Sequence, residues 1–370
     1  MTPPFTRRQA IAAGVSALAA TTAGAAFAAP APGRAKPLVL GHRGACAHRP
    51  EHTLASYARA VADGADFVEP DLCISKDGVL VVRHENNIAE TTNVSTHPEF
   101  AARRVTKTVD GQTITGWFTE DFTLAELKTL RAKERLGPLR PESQQYDNEF
   151  QILTFDEMLD FLAAAAATRG RPVGVIPEIK HSTYFAAAGL PMEQRFLDTL
   201  HAHSYLATAP VIVQSFEIAN LQWLRPRIAD MRNVRLLQLT ENDVAPADRA
   251  AAGDKRPWAQ ILTPAGVAEI AQYADFLAPW NRDLIPVLPD GTFGAPSSLF
   301  DLAHRAGMLV ATWTFRPENH FLPGALQDHA GDGARNPTGS VAEIRHYLAA
   351  GVDAFFTDDP ALGRVAVDGG

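Results

Sequence analysis

One feature constrains this chain more than any other: short β-branched runs alternate with Ala/Leu-rich stretches of helical periodicity. Strands are expected at Leu38–His42, Asp66–Ile74, Val79–His84, Val173–Ile179, Val211–Ser215, Val234–Leu239, Ala274–Pro279, Met308–Thr314 and Ala354–Thr357. Helical spacing is clearest in Thr53–Ala62, Leu124–Ala132, Phe155–Ala167, Met192–His203, Leu299–Ala306 and Val341–Ala350. Strands separated by helices predict a parallel sheet. About eight such units suit an α/β fold of the TIM type, a (β/α)8 barrel. Residues 86–150 interrupt the rhythm with polar, Thr-, Arg- and Pro-containing sequence and read as a lobe inserted after the second barrel strand.

The strand ends carry the chemistry. The first ends in Gly41-His42-Arg43-Gly44, and in such barrels catalytic groups sit at the C-terminal ends of strands. Arg43 offers a planar fork suited to phosphate or carboxylate, and the flanking glycines would let backbone approach a ligand. The second strand is broken by Glu69 and Asp71, two apart and so on one face. Ser75-Lys76-Asp77-Gly78 then reads as a tight turn into Val79–His84. With those four residues as the turn, His84 would lie opposite Glu69 and Val82 opposite Asp71. Opposed residues share a face, so the hairpin would gather Glu69, Asp71 and His84. Its return arm also absorbs the ninth strand, leaving eight for the barrel. The bland alternative is a pair of solvent-facing acids on an edge strand.

Two carboxylates this close favour a cation between them, and all-oxygen ligation suits Ca²⁺ or Mg²⁺ better than zinc. Glu178 and Lys180 close another apolar strand, two apart. They would supply a third acid for the cation and an ammonium for an anionic oxygen, although a solvated salt bridge has the same pattern. Phe216, Trp280 and Trp313 fall at or within strand ends, where core packing and substrate contact are equal readings. Cys46 and Cys73 follow or end neighbouring strands, which leaves a disulfide open in an oxidising compartment.

Composition removes other classes. With 34 Lys and Arg against 42 Asp and Glu, the formal charge is −8 and no basic run exists to neutralise a nucleic acid. Beyond the N-terminal segment no apolar run reaches membrane-spanning length, so no transmembrane anchor is expected. Residues 1–28 read as an export signal. A short n-region ends in Arg7-Arg8, a small-residue run follows, and Ala26-Phe27-Ala28 fits signal cleavage. Thr6-Arg7-Arg8-Gln9-Ala10-Ile11 resembles the twin-arginine signature. Residues 29–36 are a linker and residues 37–370 one barrel domain, expected outside the cytoplasm, in the periplasm or the medium.

The ordered set His42-Arg43-Gly44, Pro50-Glu51-His52-Thr53, Glu69-x-Asp71, His84 and Pro177-Glu178-Ile179-Lys180 resembles the glycerophosphodiester phosphodiesterases. The Pro-Glu-His-Thr form and the long insertion look like that family's secreted or periplasmic branch. The likeness runs from about Leu38 to Leu362 and is most specific over Gly41–Glu85; Gln214-Ser215-Phe216, Leu237-Gln238-Leu239, Thr312-Trp313-Thr314 and Phe356-Thr357-Asp358 also look similar. It implies a TIM barrel that hydrolyses small-molecule glycerophosphodiesters to glycerol 3-phosphate and an alcohol, with one divalent cation, often Ca²⁺. By that resemblance His42 and His84 are the acid/base pair, Glu69, Asp71 and Glu178 ligate metal, and Arg43 and Lys180 hold phosphate. The family's reaction is thought to pass through a cyclic phosphate. Glu51 would orient His42 or touch the metal or the glycerol hydroxyls, or simply suit a helix start. Glu85 stands where many relatives have Asp, with little consequence expected. Alternatives are hydrolysis of glycerol-phosphate wall polymer or lysophospholipid head groups, or a non-catalytic phosphate-binding surface protein on the same barrel.

Overall fold

The computed structural model describes residues 36–369. The expected export signal, residues 1–28, and the linker up to residue 35 lie outside the described residues. Among the described residues thirteen strands are present: β1 (Leu38–Gly41), β2 (Phe67–Val68), β3 (Asp71–Ile74), β4 (Leu80–Val82), β5 (Val105–Val109), β6 (Gln112–Gly116), β7 (Gly174–Val175), β8 (Glu178–Ile179), β9 (Val211–Ser215), β10 (Val234–Thr240), β11 (Phe276–Pro279), β12 (Leu309–Phe315) and β13 (Ala354–Thr357). Parallel pairing passes from β1 through β2, β7, β9, β10, β11, β12 and β13 back to β1. The sheet is therefore a closed barrel of eight positions with helices outside, as the alternation predicts.

Two of the expected strands are split. Asp66–Ile74 divides into β2 and β3 at Glu69-Pro70, and Val173–Ile179 into β7 and β8 at Ile176-Pro177. Proline has no N–H to give a ladder, and both breaks sit at the same level of neighbouring wall positions. Past the breaks the wall continues, with β3 on β8 and β8 on β9. Leu40, Phe67, Ile176, Ile212, Leu237, Phe276 and Phe356 fill the barrel interior, while a larger cluster packs between barrel and helices.

Helix starts follow local rules. Thr53 accepts from the Ser56 N–H to open Leu54–Ala62. Thr154 and Glu157 form a reciprocal capping box at Phe155–Arg169, and Gly170 closes that helix at φ 70°. The expected helix Leu124–Ala132 stops at Leu127, because Arg131 and Ala132 instead make extended bridges to Gln151 and Thr92. Val341–Ala350 begins earlier than expected, at Pro337, where the Asn336 side chain caps it.

The hairpin exists, but its register differs by one residue from the expectation. Leu72 pairs with Val82, Cys73 with Val81 and Ile74 with Leu80. Ser75 N–H donates to Val79 O, so the loop is the three residues Lys76-Asp77-Gly78, with Gly78 at φ 83°. A four-residue turn with Ser75 opposite Gly78 was the wrong geometry, and a one-residue slip exchanges faces. Val82 thus faces Leu72, not Asp71. Carried further, this ladder would set Arg83 beside Asp71. The Arg83 N–H does donate to Asp71 O at 2.9 Å, so the ladder runs one bond past Val82, and the fully buried Arg83 side chain folds onto the carbonyls of Val82, Glu51 and Thr91.

Residues 86–150 are part of the same domain. They carry the antiparallel pair β5–β6, and Ile88, Val94, Phe100, Trp117, Phe122, Leu127 and Leu130 join the main core.

Candidate active site

The C-terminal mouth of the barrel gathers most of the residues singled out above. Asp71 is the in-register neighbour of Glu178, and Glu178 of Gln214, so three parallel strands set one row of polar side chains at one depth. Glu69 sits at the Pro70 break just below. Oxygens of Glu69, Asp71 and Glu178 lie within 4.8 Å of one another, and all three residues are buried. Lys180 Nζ is 2.8 Å from Glu178 Oε2 and 3.6 Å from Asp71 Oδ1. Around Glu69, the Arg43 backbone N–H donates to Oε2 at 2.9 Å and Gln214 Nε2 to Oε1 at 2.8 Å.

Arg43 adopts φ 56°, a left-handed conformation uncommon outside glycine. Glu51 braces its side chain, accepting from NH1 at 2.9 Å. Arg135 of the insertion takes the other Glu51 oxygen at 2.7 Å. Glu51 is thus held on two arginines rather than on His42. Gly44 serves packing rather than ligand approach: it sits at φ 92°, and a Cβ there would come within 2.4 Å of Ser56 Oγ on the first helix.

His42 directly follows β1, with Nδ1 2.5 Å from Asp358 Oδ1 and Nε2 3.8 Å from Glu69 Oε2. His84 follows β4, with Nδ1 2.5 Å from Glu85 Oε1. The site also contains residues that the sequence reading gave no role. Asp358 holds His42, Glu85 holds His84, and His52 Nε2 is 2.8 Å from Asp71 Oδ2. Only motif proximity marked them: Asp358 closes Phe356-Thr357-Asp358, and His52 lies inside Pro-Glu-His-Thr. Phe216 and Trp313 meet edge to face at 5.4 Å, and Lys180 Nζ is 5.8 Å from the Phe216 ring centre. The Trp313 indole N–H donates to Ala278 O at 3.0 Å. Cys46 and Cys73 are buried free thiols, so the disulfide left open above does not form; Cys73 Sγ donates to Arg83 O at 3.3 Å.

Electrostatics sort these groups. Burial, then the Asp71 and Glu178 charges, push the Glu69 carboxyl well above its usual range. Burial and Asp71 push Glu178 up to about 8 against the opposing pull of Lys180. Asp71 goes the other way despite its burial, because Lys180 and the His52 bond hold it ionised. Its Oδ1 is buried and accepts no hydrogen bond. Three crowded carboxyl groups, two of them pushed up by burial and by their neighbours' charge, and one buried oxygen that accepts no hydrogen bond fit a hard divalent cation. Burial and then Arg43 lower His42 to about 4; burial, Arg43 and Lys180 lower His84 to about 3.

This barrel is an enzyme fold whose mouth is fitted for an anionic ester, with fixed cations, acid ligands and two imidazoles. The pattern of the glycerophosphoryl diester phosphodiesterase family matches residues 42–362. A glycerophosphodiester phosphodiesterase of Arabidopsis thaliana is 35% identical over 305 residues, which cover 78% of this chain and 76% of that one. One from Haemophilus influenzae is 29% identical over 261 residues, covering 65% and 68%. An Oleispira antarctica phosphodiesterase, solved in complex with the product sn-glycerol-3-phosphate, superimposes with a TM-score of 0.54 at 18% identity, covering 90% of this chain and 97% of that one. The chain belongs to the glycerophosphoryl diester phosphodiesterase family, and its activity is the hydrolysis of glycerophosphodiesters.

Proposed function

We infer that hydrolysis here uses a divalent cation held by Glu69, Asp71 and Glu178, with His42 and His84 as the acid/base pair. The observation that carries this reading is the crowding of three buried carboxylates, with Asp71 Oδ1 accepting no hydrogen bond, next to His42, Arg43 and Lys180. A set of carboxylate oxygens favours Ca²⁺, with Mg²⁺ second. When bound, the cation would draw charge from a non-bridging phosphate oxygen.

The chain's own residues do the rest. Arg43 and Lys180 meet the phosphodiester anion and neutralise charge that grows in the transition state. One histidine takes the proton of the glycerol 2-hydroxyl as its oxygen bonds to phosphorus, and the other protonates the departing alcohol as that P–O bond breaks. Holding the 2-hydroxyl beside phosphorus makes attack effectively unimolecular. The resulting cyclic phosphate is opened by water with the histidine roles exchanged, giving glycerol 3-phosphate. Burial does most to depress both imidazoles; the Arg43 charge adds to it at both and the Lys180 charge at His84, and an arriving anion opposes those charges and so favours the protonated rings.

A second reading of the substrate draws support from one observation. A cavity of about 540 Å³ opens beside Glu178, Lys180 and Phe216 and continues between Tyr184, Val244 and Ala247. Its apolar wall has room for an alcohol larger than choline, such as a glycerol-phosphate polymer end or a lysophospholipid. The Arg7-Arg8 leader and the long insertion support export and the secreted branch. Among the described residues no helix is long and apolar enough to cross a membrane.

The test is release of glycerol 3-phosphate from glycerophosphocholine, glycerophosphoglycerol and polymer, with chelator and after return of Ca²⁺ or Mg²⁺. Chelator-sensitive release restored by cation supports the reading; release indifferent to chelator contradicts the cation. Cell fractionation with N-terminal sequencing of the mature protein tests export, which cytoplasmic full-length protein would contradict.

A further inference from the structure

The insertion sends two arginines into the mouth, and each grips the carboxylate that holds one of the two histidines. From the stretch after the short helix Leu124–Leu127, Arg135 NH1 and NH2 reach the two Glu85 oxygens at 2.7 and 2.5 Å. Glu85 in turn holds His84 Nδ1. Arg140 donates through NH2 to Asp358 Oδ2, while Asp358 Oδ1 holds His42 Nδ1. Arg140 is itself pinned, with Nε 2.7 Å from Glu318 Oε1 and NH1 3.1 Å from the Cys46 carbonyl. The two relays share no residue and come from one segment that is not part of the barrel wall.

Resting on the acid/base reading of His42 and His84, we propose that Arg135 and Arg140 are positioning residues. Each locks one carboxylate so that one imidazole keeps its Nδ1 proton and presents Nε2 to the reacting phosphate. For His42 the tautomer follows from the neighbours. Arg43 Nε–H lies 3.2 Å from His42 Nε2 and can only donate, so in the neutral ring Nε2 carries the lone pair and Nδ1 the proton facing Asp358. Burial alone would push both carboxylates up, towards taking that proton for themselves. Both are instead held well below their usual range, Asp358 by Arg140 and His42, and Glu85 by His84 and Arg135. The insertion thereby becomes a working part of the reaction centre.

Double-mutant cycles test this. Arg140→Met, Asp358→Asn and their combination form one set; Arg135→Met, Glu85→Gln and theirs form the other. Arg140→Lys serves where methionine leaves Glu318 unpaired and the protein misfolds, because it keeps the charge and loses the fork. Glycerol 3-phosphate release from glycerophosphocholine gives kcat and KM, and circular dichroism checks folding. Each arginine variant should lose about tenfold in kcat with KM within about twofold, each double variant should lose no more than its carboxylate variant alone, and millimolar guanidinium should restore part of the kcat of Arg140→Ala. Losses confined to KM, fully additive doubles, or unchanged kcat in both arginine variants would overturn the proposal. His42→Ala and His84→Ala run alongside: if they keep turnover, the acid/base reading itself fails; if they lose it while the arginine variants do not, only this inference falls.

Discussion

The two histidines reach the mouth by opposite routes. His42 directly follows a strand of the barrel wall with its side chain 9% exposed, and its carboxylate partner, Asp358, lies 316 residues away, just past the last strand. His84 ends a hairpin arm outside the barrel ring with its side chain 28% exposed, and its partner is the next residue, Glu85. The same imidazole–carboxylate pairing is thus built once by barrel closure and once by local sequence. The first is set by barrel closure, with Arg140 of the insertion bonded behind Asp358. The second depends on Arg135 and the insertion. A difference in tolerance to substitution should follow.

The largest effect on either side of the comparison, matched only by loss of an imidazole itself, should fall on the acids between the two histidines. Asp71→Asn or Glu69→Gln should lower kcat for glycerol 3-phosphate release by about 10³-fold or more, equivalent to about 4 kcal/mol of barrel-mouth stabilisation of the transition state. Chelator should then add little. Activity above a tenth of the parent level would remove the shared cation from the account.

Next come the two supports themselves. Asp358→Asn should cost about 10²-fold in kcat, because it exposes a buried imidazole to the wrong tautomer and leaves Arg140 without one of its carboxylates. Glu85→Gln should cost about tenfold, since His84 is nearer solvent and water can replace the lost acceptor. Equal losses would break the contrast between the two regions. A larger loss at Glu85 would reverse it.

Smaller effects lie on the outer side of the same elements. Asp359, next to Asp358 but turned away from His42, is held at about 2; burial pushes it up, and bonds from His48 and Arg335 more than offset that. Its folded value lies below the ordinary 3.8, so its contribution of about 2 kcal/mol is complete above that value and fades as pH falls towards 2. Urea titrations between pH 6 and 2.5 should show a shallower acid decline in Asp359→Asn than in the parent. An identical slope would contradict the pairing. Thr154→Ala, which removes half of the capping box behind the hairpin, should cost about 1 kcal/mol of stability without altering kcat. A loss of turnover there would mean that the hairpin arm transmits strain to His84.

Much of this was legible in the chain itself. The period-two runs ending in His42, Asp71 and Glu178 mark wall positions, and the barrel closes through them as expected. Spacing gathered Glu69 and Asp71 correctly, yet the hairpin register was misread, because Lys76-Asp77-Gly78 accommodates a three-residue loop and turn sequence alone does not choose between the two. His84 arrives at the mouth by following the last ladder bond, from Arg83 to Asp71, not by facing Glu69 across it. Asp358 is invisible as a partner of His42 without the closure that pairs Leu40 with Phe356 and Gly41 with Thr357. Arg135 and Arg140 lie in a polar segment with no periodicity to place them, and their contacts are set by tertiary packing alone. Pro70 and Pro177 were in plain view; their effect, splitting two strands at the level of the acids, depends on neighbours in the wall.

The most direct measurement of the central claim is steady-state turnover of glycerophosphocholine by His42→Ala and His84→Ala with saturating Ca²⁺ and folding verified. Each single replacement should lower kcat by about 10³-fold while substrate still binds. Retention of near-parental kcat by either variant would contradict a two-imidazole reaction at this mouth.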